Sequence, residues 1–516
     1  MDKLFSPMRR DGITTPKKDK ARTENGLENQ TNLTPDYTAT KPKKLNVTRL
    51  AKAGSGTEPA NEPQAVIDGQ WKEKLAALVD EFNRRYANVR YADKQMIMRF
   101  TNPDENINQC SSFDFMGQHA FMNLHQNTSI KVYEKVTRGE TESVYATHAK
   151  AWLSHFKCRV YLDGVVFRPL PYGAKLLPDS YFNTWQGLAV EPKAGDWLLI
   201  KKHLLEVICN HETPLYDYII KWIAYKIQNP HKQAGSAVVL RGKKGSGKGT
   251  LGHFLKRLYG SHGKHISNSE HLTGKFNAHL ADCCFLFADE AFFSGDKRGE
   301  NALKALITEP TLIIERKGFD AIEQQNYLQI LMATNEQWAI PASTDERRYC
   351  VVDVPDTKIG DRDYFKALHA AMEQADVIAA FLHDMLCLDI NGWHSGDIPE
   401  TDALKEQRLH SLDSVGKFLV DGYLRQVFST DRFDSLTAWC ESINASYFYN
   451  SYLAYANRAK LSQYDIATQT TFGKKITQEA KLFKKRDGAG RQCYYLGTMD
   501  DFKAALEERY RIKIDD

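Results

Sequence analysis

The sequence lacks the marks of several large classes of protein. No apolar run approaches the ~18 residues that a membrane-spanning helix needs, and Met1 to Arg10 holds no apolar core of signal-peptide length. The nine cysteines are scattered, with no C-x-x-C pair, and the adjacent Cys283 and Cys284 sit in an apolar run. This predicts a reducing, cytoplasmic setting with no disulfide framework and no zinc site. A large charge imbalance is also missing: the formal net charge is +4 over 516 residues. Residues 1 to 66 hold 12 Lys/Arg against 8 Asp/Glu, so the remainder is balanced and any nucleic-acid surface must come from local clusters. Those 66 residues are also poor in aromatics, with Phe5 and Tyr37 alone, and rich in Thr, Asn, Lys, Pro and Gly. They cannot bury enough apolar surface to offset the entropy of ordering, and read as a disordered, mildly basic tail.

From residue 67 the composition becomes that of a folded protein, and the length points to several domains. Trp71, Leu75, Leu78, Val79 and Phe82 share a helical face. Strand-like runs follow at 129–136 and 159–169, with turn signals such as Asp163-Gly164. Residues 67–200 read as an α+β domain. They hold no convincing set of spaced acids and histidine of the kind a DNA primase uses. The stretch Tyr181 to Pro192 packs three aromatics near a turn, and core packing is its plainest reading. From Lys201 to Asn229 the apolar spacing is helical, ended by Asn229-Pro230 and Gly235.

The most informative stretch comes next. Ala237 to Leu240 reads as a buried strand, Gly242-Lys-Lys-Gly-Ser-Gly-Lys-Gly-Thr250 as a glycine loop, and Leu251 to Leu258 as a helix. Strand, glycine loop, lysine and helix form the context that cradles phosphates on backbone N–H groups. The expected contacts are Gly242, Gly245, Ser246, Gly247, Lys248, Gly249 and Thr250, with Lys248 reaching the β- and γ-phosphates. The usual Ser or Thr directly after the lysine is replaced by Gly249, so Thr250 is the candidate magnesium hydroxyl. A second apolar strand ends in Asp289-Glu290, 41 residues past Lys248. There Asp289 can hold magnesium and Glu290 can polarise a water. A third, from Leu328, ends in Thr334-Asn335, and Asn335 suits orienting that water. Arg347-Arg348 then precede an apolar strand; either guanidinium could stabilise a transferring phosphoryl group, in its own chain or a neighbour's, or the pair could form surface salt bridges with Asp345 and Glu346.

Two basic features suit nucleic acid. Residues 310–319 read as a strand and a tip carrying Arg316, Lys317 and Phe319, with 326–330 as a possible return strand; single-stranded contact is one reading and a solvated turn another. Near the C-terminus, a helix, a second helix bearing Lys474 and Lys475, and a hairpin bearing Lys484, Lys485 and Arg486 make a winged-helix pattern, which serves DNA or protein partners.

In this order, the loop at 242–250, Asp289-Glu290, the Lys317 hairpin, Thr334-Asn335 and Arg347-Arg348 resemble a superfamily 3 helicase of the phage and poxvirus primase-helicase type. Residues 289–310 are especially like phage and prophage members, and Tyr181 to Pro192 is similar to the segment preceding their ATPase core. The resemblance implies an α/β AAA+ P-loop ATPase at 201–360 with the N-terminal α+β region, a helical extension at 361–430 and a winged helix at 431–516. It implies ATP and Mg2+ as ligands, a homo-hexameric ring with the arginine supplied in trans, and 3′ to 5′ movement on single-stranded and forked DNA. Lys317 matches the hairpin lysine and Asn335 the γ-phosphate sensor. A separate primase or polymerase would be the partner, in the cytoplasm of a bacterial host. Two alternatives are an origin-binding initiator that uses ATP only to assemble, and a nucleotide kinase, whose loop is similar to Gly-Ser-Gly-Lys-Gly-Thr. The late position of the loop and the placement of Glu290 argue against the kinase.

Overall fold

The computed structural model describes residues 70–91, 94–101, 113–290, 297–317, 320–428, 438–479, 482–486 and 488–515. The chain divides into Met1–Ala65 and Val66–Asp516, and all described residues lie in the second unit. The expected disordered tail therefore lies outside the described residues, as does Phe319.

The first module starts with α1 (Gln70–Arg85), which buries Leu75, Leu78, Val79 and Phe82 from one face. It continues through β1 (Tyr86–Tyr91), β2 (Lys94–Phe100), β3 (Phe113–Gly117), α2 (Gln118–Leu124), β4 (Ile130–Thr137), β5 (Glu140–Ala146), α3 (His148–Ser154), β6 (Val160–Tyr161), β7 (Gly164–Val166) and β8 (Tyr181–Asn183). Its main sheet has the order β3-β2-β1-β6. Phe82, Tyr86, Phe121 and Trp152 form an aromatic core beneath it, with Phe121 ring centroids 5.0 Å from Tyr86 and 5.5 Å from Trp152. The strand-like run at 159–169 is two short strands. Gly164 turns the chain at φ +92°, where a Cβ would stand 2.6 Å from the Arg90 carbonyl.

The helical stretch expected over 201–229 is broken. It consists of α4 (Leu198–Lys202), a π-helical turn His203–Ile208, and α5 (Thr213–Gln228). Asn210 and His211 both take positive φ, which ends the first segment, and Pro214 opens the second where no N–H is needed.

Then come β9 (Ala237–Arg241), α6 (Lys248–Leu258), β10 (Gly263–Ile266), α7 (Ser269–Thr273), β11 (Phe285–Asp289), α8 (Lys297–Thr308), β12 (Thr311–Ile314), β13 (Ile322–Gln325), β14 (Gln329–Thr334) and β15 (Tyr349–Asp353). The central sheet is β10-β11-β14-β9-β15, and every neighbouring pair is parallel. Such a sheet is covered on both faces, which is why its strands read as continuous apolar runs. Val238 and Leu240 face one core with Trp222, Phe254 and Phe381, while Ala237 and Val239 face another with Leu303, Ile307 and Leu404. The return strand of the hairpin is β13, not 326–330. Residues 328–333, apolar except for Gln329, are claimed by the central sheet, where burial lies on both faces.

After the sheet come α9 (Arg362–Glu373), α10 (Ala375–Cys387), α11 (Asp402–Ser411), α12 (Ser414–Leu424), β16 (Ser442–Asn444), α13 (Ala445–Arg458), α14 (Gln469–Lys474), β17 (Phe483–Arg486), β18 (Gln492–Tyr495) and α15 (Met499–Tyr510). The described part of the expected helical extension, 361–428, is helical and divides its packing among several cores. Leu368 of α9 and Phe381 of α10 share the core of β9, Leu404 of α11 packs on the other face, and Phe418 of α12 joins the C-terminal core. Each helix follows the apolar surface it matches. The C-terminal core gathers Phe418, Phe448, Tyr452, Phe472 and Phe502 around the antiparallel sheet β16-β18-β17.

Candidate functional site

The C-terminal ends of β9, β11 and β14 converge on one cavity of about 780 Å3. Side chains from each strand end and from α6 and α9 line it, among them Lys248, Thr250, Asp289, Glu290, Asn335 and His369. Crevices at the carboxyl ends of parallel strands are where such folds bind ligands.

The loop from β9 into α6 is shaped by its glycines. Gly245 and Gly247 hold φ of +86° and +104°, values that L side chains rarely adopt. Gly242 sits so close to β15 that a Cβ would lie 2.5 Å from the Val354 carbonyl. At Gly247 a Cβ would lie 2.6 Å from the His203 ring, whereas at Gly249 it would meet open space. Gly252, on α6, lies against the Phe287 ring of β11, where a Cβ would stand 2.4 Å away. The first helical turn is thus held tightly on the sheet, and Gly249 faces the cavity side.

Lys248 lies buried beneath the loop and donates to the Gly242 and Lys243 carbonyls at 2.7 and 2.9 Å, and to Asn335 Oδ1 at 3.0 Å. Burial pulls its ammonium below the ordinary lysine range, with Glu290 and Asp289 acting the other way. Ser246 is buried and its hydroxyl has no hydrogen-bond partner. The Thr250 hydroxyl lies 3.3 Å from His369 Nε2. Asp289 ends β11, with His265 Nε2 4.0 Å from its carboxylate. Glu290 has φ +53°, a left-handed conformation costing a non-glycine residue ~1–3 kcal/mol. Its N–H still donates to Ala333 O at 2.9 Å, and the Thr334 hydroxyl donates to its carboxylate at 3.2 Å. Backbone and side chain of β14 therefore fix where Glu290 stands.

His203 belongs to the site and is not evident from the sequence. It is fully buried in the π-helical turn, donates from Nε2 to Gly247 O at 3.2 Å, and accepts the Tyr364 hydroxyl at Nδ1 at 2.9 Å. Burial pushes its pKa down to about 4, against the hydrogen bond to Gly247. Its only sequence trace was a polar residue on an otherwise apolar helical face. Arg241, at the end of β9, is a second structural anchor. It makes a two-pronged pair with Asp353 at 2.5 and 2.6 Å, meets Glu406 of α11, and donates to Gln337 O.

The arginine pair lies elsewhere. Ala237 N donates to Arg348 O at 2.7 Å, so Arg347 and Arg348 stand at the opposite end of the sheet from the loop, about 15 Å along the strands. Neither lines the cavity of its own chain. Arg348 is half-buried and pairs with the buried Glu346 at 3.2 Å, while Arg347 is exposed. At the β12–β13 hairpin, Lys317 is exposed, but Arg316 stacks over the Tyr91 ring of the first module, 5.2 Å from its centroid. In the C-terminal unit Lys474, Lys484, Lys485 and Arg486 are exposed, and Lys475 is ion-paired with Asp413. The structure thus gathers the loop residues, Asp289, Glu290 and Asn335, and leaves Arg316, Arg347, Arg348 and Lys475 in other surroundings. Among the described residues no group of three or more His, Cys, Asp or Glu could hold a metal ion by itself, and no helix is long and apolar enough to cross a membrane.

A family model described as a family of unknown function (DUF5906) matches residues 240–348, which run from the end of β9 to the arginine pair. A DNA primase-polymerase from Nitratiruptor phage NrS-1 is 29% identical over 164 residues, covering 30% of this chain and 22% of that protein. The apo structure of the NrS-1 C-terminal region, residues 305–718, superposes with a TM-score of 0.54 at 16% identity, covering 80% of this chain and 96% of that one. An A-form apo structure of that region gives 0.52 over the same shares. The chain is therefore similar to a phage replication protein over part of its sequence, and shares the fold of that protein's C-terminal region over most of its length.

Proposed function

We propose that this chain is an ATP-driven DNA helicase of the AAA+ type, acting as a hexameric ring in the replication of a phage or other mobile element. The observation that carries the reading is the meeting of Lys248, Asp289, Glu290 and Asn335 around one cavity at three neighbouring strand ends. Because β14 lies between β9 and β11, Asn335 stands between the phosphate lysine and the acidic pair.

Each residue then has a role. Lys248 exchanges its loop carbonyls for the β- and γ-phosphates of ATP, and the N–H groups of Gly245 to Gly249 cradle them. Thr250 and Asp289 are hard oxygen donors that fit magnesium, and the partnerless Ser246 hydroxyl leaves a further polar group inside the loop. The metal would offset phosphate charge there. Glu290, steadied by Thr334, takes the proton of the attacking water, and Asn335 orients that water. Arg347 completes a neighbour's site, since Arg348 is held by Glu346 and both are far from the loop of their own chain. Lys317 couples the cycle to the DNA strand, with Lys474, Lys484, Lys485 and Arg486 as a second contact. The likeness to a phage DNA primase-polymerase supports a place in replication, beside a separate primase or polymerase.

The test is strand displacement on a forked duplex. The wild type should displace the strand with ATP, and Lys248→Ala should not. The exposed basic hairpin of the C-terminal unit favours one other reading, an origin-binding initiator without processive unwinding. That protein would protect a specific duplex site and displace no strand.

A further inference from the structure

The stretch Tyr181 to Pro192 has no part in the ATP reading, yet it lines a second cavity, of about 710 Å3. This cavity lies where the first module meets the segment leading to the central sheet. One wall is Lys157 to Tyr161, and the other is Tyr181 to Glu191. Both walls are braced. Asn83 accepts from the Trp152 indole and from Arg159 N, each at 2.8 Å, and donates to Lys157 O at 2.9 Å. On the other side Gln186 N donates to His262 Nε2 at 2.9 Å, and the Trp185 ring packs 4.7 Å from the His262 ring.

Two residues of the lining each carry a polar atom that is buried without a partner, Arg159 Nη1, a donor, and Gln186 Oε1, an acceptor. The Gln186 amide is oriented by its Nε2, which donates to Asn183 O at 3.3 Å, so the oxygen is the end left over. Buried polar groups in this state cost stability unless something completes them. Tyr161, Tyr181 and Trp185 line the same cavity. The charges of the lining balance, with Lys157 and Arg159 against Asp179 and Glu191, and Glu191 also accepts the Tyr172 hydroxyl at 2.9 Å. A free anion gains little from such a lining. A neutral planar group that carries both an acceptor and a donor fits it.

We infer that this cavity binds an unpaired nucleobase, held by aromatic contact and by Arg159 and Gln186. Every base carries a π face and an edge with adjacent donor and acceptor, so the site is tolerant of base identity. The base can come from a free nucleotide or from a single strand threading past the first module. The site goes beyond the ATPase reading and uses none of its residues.

The test is ultraviolet cross-linking of the full-length chain to a single-stranded oligonucleotide carrying 5-iododeoxyuridine, with the adducts mapped on peptides. Adducts are expected on Tyr161, Tyr181 or Trp185, and Arg159→Met or Gln186→Leu should cut them about tenfold while adducts in the C-terminal unit persist. Persistence of those adducts and an unchanged Tm show that a variant has folded. Competition then identifies the source. If thymidine monophosphate competes as well as the strand, the base comes from a free nucleotide; if only the strand competes, it comes from DNA. No adduct on this stretch, adducts that ignore both substitutions, or equal competition by an abasic strand would overturn the inference. The same map made on Lys248→Ala keeps the two sites apart, because that variant lacks the loop lysine and retains this cavity.

Discussion

His203 gives its Nε2–H to Gly247 and meets the Tyr364 hydroxyl at Nδ1, and burial keeps its ring neutral in the folded chain. Burial lowers its pKa to about 4, while in the unfolded chain it titrates near 6.5. Above pH 6.5 neither state binds the proton and the folded state suffers no loss. As the pH falls towards 4 the unfolded chain takes up a proton that the native site refuses, and ~3 kcal/mol of stability is lost. His203→Gln can still donate to Gly247 and has no such titration. Urea midpoints measured from pH 7 to 4 should fall less steeply for the variant, and parallel curves would remove His203 from this role. The glycines offer a second contrast. Gly249→Ala places its Cβ in open space on a helix and should raise stability by about 0.5–1 kcal/mol. Gly247→Ala forces a left-handed alanine into the His203 ring and should cost at least about 2 kcal/mol. Thermal unfolding without nucleotide checks both, and equal shifts would contradict the geometry.

The elements that bear the candidate site were legible for a physical reason. Strands covered on both faces must be apolar throughout, so 237–240, 283–288 and 328–333 stood out, and the polar residues ending each run stood out with them. What escaped were features set by partners far away in sequence. The break at Asn210-His211 follows from backbone conformation, and α9 and α10 join the central core because their apolar faces match β9 and α5. Arg316 read as a tip residue, but Tyr91, from a different module, supplies the ring it stacks on. The C-terminal hairpin carries its own prediction. Lys484, Lys485 and Arg486 are exposed along β17, and if each neutralises a phosphate, their triple replacement by Ala should lower the log–log salt slope of DNA binding by about three. Lys475→Ala should leave the slope nearly unchanged, since Asp413 already holds that ammonium. A triple variant with the wild-type slope would move the DNA surface elsewhere.

At the scale of the molecule, α11 and α12 link the central sheet to the C-terminal core through residues such as Arg408, which is buried and meets Glu400, Ser343 O and Arg511 O. The glycine loop and Arg347 occupy opposite ends of one parallel sheet. The proposed head-to-tail ring would bring the arginine of one copy to the loop of the next. This organisation turns on whether the cavity at the strand ends hydrolyses ATP in response to DNA. The most direct measurement is steady-state ATP hydrolysis with and without single-stranded DNA, for the wild type and Glu290→Gln. Strong stimulation by DNA is expected, lost in the variant with nucleotide binding retained. Turnover indifferent to DNA, or unaffected by Glu290→Gln, would contradict it.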